Sequence, residues 1–156
     1  MQAGQNGDFE YANGHWVGKS EWSSAHVFES CMIAEHNDLD ELLVIRQERS
    51  GRMTIAVFEK RWMDATMKSL PVSAFADHEP LFSGLGLLYA PDALAFEPKT
   101  PTAAKRLLKA AKLLSVTANG LSSVFALSGS DAAIDYLEDC VGKGLLSAHP
   151  VTWLVD

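Results

Sequence analysis

Apolar and polar positions alternate most regularly between Leu113 and Leu127. "LLSVTA" and "LSSVFAL" flank Asn119-Gly120, a dipeptide suited to the positive φ angles of a type I′ turn, so this run predicts a tight hairpin. "SGS" then leads into "DAAIDYLEDCVGKG", where the apolar spacing changes from two to three and four. Ala133, Ile134, Leu137, Cys140 and Val141 fall on one stripe, which predicts an amphipathic helix with Cys140 facing the core. Ser128 and Ser130 are candidate N-caps, Asp131 and Asp135 suit the positive end of the helix dipole, and Gly142 or Gly144 supplies the stop.

Earlier in the chain the period is two. "AHVFESCMIAEH" places Val27, Glu29, Cys31 and Ile33 on one side and Phe28, Ser30, Met32 and Ala34 on the other, as in a strand near the middle of a sheet. The acidic turn "HNDLDE" precedes "LLVIRQE", and "RSG" joins that run to "RMTIAVFEKRW". Met53, Ile55 and Val57 alternate there with Thr54, Ala56 and Phe58, so the two runs predict an antiparallel hairpin. Pro71 removes a ladder donor, which predicts an edge strand near Leu70–Phe75 and a loop over Asp77–Gly86. A short pair of extended runs is expected around Pro91-Asp92. Thr100 and Pro101 form a cap and first-turn pair for a helix over "TAAKRLLKAAKLL", with Leu107, Leu108, Ala111 and Leu114 on its buried side. "VTWLV" is a candidate last strand.

These elements predict an α+β protein: mostly antiparallel sheet or β-sandwich, with two helices in the C-terminal half. Residues 1–14 read as a loose N-terminal segment that Phe9 and Tyr11 tack onto the sheet, and 15–156 as one domain. A chain of 156 residues with 47% hydrophobic content has enough apolar side chains for a single core.

Charge narrows the class. A net charge of −7 argues against nucleic acid and anionic lipid, and suits a protein partner with a basic surface. No run approaches the ~20 apolar residues of a membrane span. The start "MQAGQNGD" has neither a basic nor an apolar segment, and resembles a mature exported protein whose signal peptide gave way to a start codon. The two cysteines, Cys31 and Cys140, permit one disulfide or two buried free thiols.

Candidate chemistry is sparse. His15, His26, His36, His78 and His149 show no zinc-ligand spacing, and "HNDLDE" lacks the rest of a calcium loop, so neither a metal nor another cofactor is expected. "SGS" is not G-x-S-x-G, and a Cys140 thiolate would meet the negative end of its helix, so no catalytic residue is assigned. "SGLGLL" follows no evident strand and opens no helix, unlike a phosphate loop. With Phe82, Leu85 and Tyr89, it is the most apolar stretch outside a predicted element. Together with Trp62, these residues are the candidate partner-binding set.

An early tryptophan, a cysteine-bearing strand, an antiparallel pair and then "LLKAAKLLSVTANGLSSVFALSGSDAAIDYLEDCV" resemble small exported proteobacterial proteins of the invasion-associated locus B type and related domains of unknown function. Phe125, Leu127, Gly129, Ser130, Ala132, Ala133, Leu137 and Cys140 carry the likeness. It implies a sandwich-like domain, a periplasmic or secreted location, and a Cys31–Cys140 disulfide by way of that compartment. It assigns no catalytic residue. The expected function is a non-enzymatic exported domain binding a protein, as an inhibitor or toxin-neutralising protein. A small hydrolase or ligand-binding domain with a site assembled from distant residues is the alternative, and a homo-oligomer pairing through "VTWLV" is a third reading.

Overall fold

The computed structural model describes residues 10–61 and 68–147. Among the described residues, ten strands and two helices follow one another as β1 (Tyr11–Asn13), β2 (Trp16–Trp22), β3 (Phe28–His36), β4 (Leu42–Glu48), β5 (Met53–Phe58), β6 (Ser69–Ala76), β7 (Glu79–Ala90), β8 (Ala93–Phe96), α1 (Pro101–Ala110), β9 (Leu113–Ala118), β10 (Leu121–Ala126) and α2 (Ser130–Ser147). The strands form one antiparallel sheet in the order β1-β2-β3-β4-β5-β8-β7-β6-β9-β10. The expected class, antiparallel sheet with two late helices, is what the chain adopts.

The best-patterned stretches form as expected. Asn119 and Gly120 sit at φ 52° and 74°, and β9 pairs with β10 from Ala118↔Leu121 outward. β4 and β5 form the anticipated hairpin, and β7 and β8 meet around Pro91-Asp92. On α2, Ala133, Ile134, Leu137 and Cys140 are buried together. Tyr11 stacks on Tyr136 of α2 with ring centroids 4.7 Å apart, whereas Phe9 lies outside the described residues.

Five expectations need correction. Phe28 lies in the same core as Cys31 and Ile33, because a bulge opposite Glu21/Trp22 pairs Trp22 with Phe28 and Glu21 with Ser30, which reverses the side-chain phase at Glu29. β6 is interior, between β7 and β9. Its pairing with β9 begins only at Val72, so Pro71 lies just beyond that ladder. The expected loop over Asp77–Gly86 is a two-residue turn followed by most of β7. Thr100 occupies the cap position of α1 without a side-chain capping bond, and α1 ends at Ala110 instead of running on to Leu114. Ser130 donates its hydroxyl to Leu108 O at 2.7 Å, tying α2 to α1 instead of capping, and α2 passes through both Gly142 and Gly144. The proposed strand "VTWLV" and residue Trp62 lie outside the described residues.

The sheet curls back on itself. The Trp16 indole on β2 donates to Ser128 O at 3.0 Å, just beyond β10. Asn37, in the β3–β4 turn, donates to Val124 O at 3.0 Å, and Arg61 donates to Ser122 O at 3.3 Å. Two side chains thus occupy backbone acceptors of edge strand β10, a device that blunts an exposed edge. Arg61 also bonds the buried carboxylates of Glu59 and Glu41. One large core lines the inner face, from Trp16 and Phe28 through Ile55 and Leu94 to Phe125 and Leu137. Cys31 of β3 and Cys140 of α2 are disulfide-bonded within it, with Cα atoms 6.2 Å apart.

Candidate binding surface

The outer face of the sheet is apolar along a line that crosses seven strands. Direct cross-strand partners run Ala12, Val17, Ala34, Val44, Ala56, Ala95 and Leu87, from β1 through β5 to β8 and β7. At the usual ~4.8 Å between strands, the ladder spans about 29 Å. Ala34, Val44 and Ala56 form a small buried cluster with Met32, Leu42, Phe58 and Ala95 packed against it. Val17, Leu87 and Tyr89 are each more than half exposed, and Leu85 is 69% exposed.

Toward the β7 end the face becomes a cleft of about 480 Å³ over Ala56 and Ala95. Leu85, Leu87 and Tyr89 form one side. Phe82 closes an end with its ring against Phe96, centroids 4.8 Å apart, and Tyr89 meets Phe58 edge to face at 6.2 Å. Arg46, Arg52, Thr54 and Glu97 also line it. Three of the four residues expected to meet a partner, Phe82, Leu85 and Tyr89, therefore converge, on a strand instead of a loop. Trp62 falls outside the described residues.

Charge on this wall is ordered. Glu21 accepts from Arg46 Nε at 2.8 Å, from Arg46 Nη2 at 3.3 Å and from the Ser30 hydroxyl at 2.5 Å. Burial raises the Glu21 carboxyl, but the bonds from Arg46 and Ser30 outweigh it and hold the group below the usual range. Arg52 bonds Glu97 and lowers that carboxyl, while the ion pair raises the guanidinium. Burial raises the Tyr89 phenol; the nearby Arg46 charge opposes that shift.

Sequence reasoning missed Arg46, Ala56 and Ala95. The available signal was that β3 and β5 are apolar on both faces, which an outward apolar row requires. Elsewhere, Glu35 faces inward from β3, 3% exposed, with no partner for its Oε2 among the described residues. Burial alone pushes its carboxyl up to about 7. Among the described residues, no group of three or more His, Cys, Asp or Glu side chains is placed to hold a metal ion.

Known structures identify the architecture. The chain matches the crystal structure of invasion associated protein B from Bartonella henselae with a TM-score of 0.61, over 86% of this chain and 98% of that one, at 13% identity. The chain has the fold of invasion associated protein B. No family model and no curated protein matches the sequence. The likeness read from Phe125 to Cys140 is thus matched at the level of the whole fold, since that segment supplies β10 and the core face of α2. In this version of the invasion associated protein B fold, both helices pack with the inner core through Ala104, Leu108, Ile134 and Leu137. The ladder lies on the opposite face. No described helix is long and apolar enough to cross a membrane.

Proposed function

We propose that this chain is a non-enzymatic exported domain, periplasmic or secreted, that binds a protein partner through the outer apolar face of its sheet. One observation carries the reading: the ladder ends in Leu85, Leu87 and Tyr89, three large side chains each more than half exposed on strand β7. Contiguous exposed apolar surface on a small domain is characteristic of interaction sites. The disulfide supports the exported compartment, because oxidising environments are where such bonds persist. The net charge of −7 supports a partner with basic surface around the apolar contact, as an inhibitor or neutralising protein requires when its target is cationic.

The test takes the oxidised protein as bait for exported proteins of its own source, with Leu85→Ala, Phe82→Ala and Tyr89→Ala as comparators. Trp62→Ala joins them on its sequence alone. Loss of one specific partner by the Leu85 and Tyr89 variants, with unchanged circular dichroism, is the expected result. Equal recovery of that partner by all four variants would remove the face from consideration.

A further inference from the structure

Two buried carboxyl groups sit where the sheet curls round to edge strand β10: Glu41, just before β4, and Glu59, just after β5. Arg61 holds both. Its Nε donates to Glu59 Oε1 at 2.8 Å, its backbone N–H to Glu59 Oε2, and its Nη2 to Glu41 Oε2 at 3.1 Å. Asn37 Nδ2 donates to the other oxygen, Glu41 Oε1, at 2.6 Å, and the amide is fixed because its Oδ1 accepts from the backbone N–H groups of Leu39 and Glu41. The same two nitrogens also reach β10: Asn37 Nδ2 donates to Val124 O at 3.0 Å and Arg61 Nη2 to Ser122 O at 3.3 Å. The tight turn at Asn119-Gly120 makes Ala118 and Leu121 the first bonded pair, so the carbonyls of Ser122 and Val124 point away from β9. Each donor that covers the edge is therefore also a donor to Glu41, one on either oxygen.

We propose that Glu41 works a pH-sensitive clasp on edge strand β10, closed while its carboxyl is protonated and released when it ionises. One guanidinium faces two buried carboxyl groups, so ionised Glu59 already balances it and a second buried charge would stand uncompensated. The surroundings add no relief. Asp40, Lys60 and Asp92 of the β7–β8 turn line the same small cavity, two carboxylates against one exposed ammonium. Glu35 lies on the inner face of β3 opposite Leu43, His36 is exposed on the outer face, and β10 brings no charged side chain. Burial raises the Glu41 carboxyl, and its bond to Glu59 and the Glu59 charge add to that, against Asn37 and Arg61. Burial acts on Glu59 too, but the bonds from Glu41 and Arg61 outweigh it and hold that group below the usual range. The closed clasp thus keeps a proton that a solvated Glu41 gives up. Its stability is complete below the ordinary 4.5 and is lost as pH rises through the raised value of Glu41. Release of Glu41 to solvent withdraws both edge donors together and leaves β10 as an open edge, a surface that takes an extended segment of another chain. This device goes beyond the protein-partner reading and does not depend on it.

The experiment is a pH titration of the oxidised, isotope-labelled full chain from about pH 5 to about pH 9, followed by two-dimensional NMR. The amides of Ser123 and Phe125 are the reporters, because they share peptide units with the carbonyls of Ser122 and Val124. The Trp16 indole N–H, bonded to Ser128 O, reports whether the domain as a whole stays folded. Both reporters should move in one common step while the indole signal stays in place. Glu41→Gln cannot ionise and should abolish the step, with both amides held at their low-pH positions. Arg61→Gln removes the opposing cation and should carry the Phe125 step to higher pH, a displacement that a purely structural role does not produce. Glu35→Gln and His36→Gln should each retain the step. Reporters that stay flat in the wild type would overturn the proposal, as would a step that survives Glu41→Gln or disappears with Glu35→Gln or His36→Gln. Movement of the indole signal along with the amides would assign the step to global unfolding and overturn it too.

Discussion

Gly144 of α2 lies directly against the ring of Phe28 on β3: a Cβ at this glycine would stand 2.5 Å from three ring carbons. The ring is fully buried, so it has no room to withdraw. Gly142, two residues earlier on the same helix, has no atom within 4 Å of the equivalent position. Two identical substitutions should therefore act in opposite directions. Gly144→Ala overpacks the core and should destabilise the protein by roughly 1–3 kcal/mol. Gly142→Ala should stabilise it by roughly 0.5–1 kcal/mol, through helix propensity alone. Urea denaturation of both variants checks the pair, and equal midpoints would contradict the packing described for α2.

The buried Cys31–Cys140 bond closes a loop with a sequence separation of 109, for which chain entropy gives about 4–5 kcal/mol before native strain is subtracted. Protein made in an oxidising compartment, then denatured in excess alkylating agent without reductant, should gain no alkyl group by intact mass. Prior reduction should add one group at each cysteine. Because the two residues are 0% and 1% exposed, reductant should act slowly on the folded protein and rapidly once urea opens it. Two adducts without reductant would show free thiols.

Glu35 makes stability depend on pH. Its carboxyl is raised from the ordinary 4.5 to about 7 by burial, so the folded state keeps a proton that the unfolded chain releases. Stability from this group is therefore greatest below pH 4.5, declines as pH rises toward 7, and stays low above that. The span corresponds to roughly 3 kcal/mol at full effect. Glu35→Gln cannot ionise, so the difference between wild-type and variant unfolding free energies should shift in favour of the variant between pH 5 and pH 8. Denaturation curves at those two pH values test this, and a constant difference would refute it.

Local chemistry made some elements legible and tertiary contact hid others. Asn119-Gly120 fixes its hairpin within a few residues, and the α2 stripe needs no knowledge of what it packs on. β7 was hidden because Gly84, Gly86 and Pro80 lower its strand propensity. Yet a Cβ at Gly86 would stand 2.6 Å from Val72 Cγ2 on β6, so that glycine is there for close strand approach. Gly144 misleads in the same way: in sequence it is a helix stop, in the fold a seat for Phe28. The candidate site was half visible. Phe82, Leu85 and Tyr89 stand out as an apolar run, whereas Arg46, Ala56 and Ala95 join them only through register, and no local pattern shows β8 entering the sheet between β5 and β7.

The Cys31–Cys140 bond also decides how the domain would bear mechanical load. Tension applied on either side of the two cysteines passes from β3 to α2 through a covalent link. It bypasses β4 through β10 and α1, all of which lie inside the closed loop. Stretching could peel away β1, β2 and the end of α2 beyond Cys140, while the enclosed strands, including β4, β5, β7 and β8 beneath the cleft, carry no force. Reduction would put those strands in series with the load for the first time.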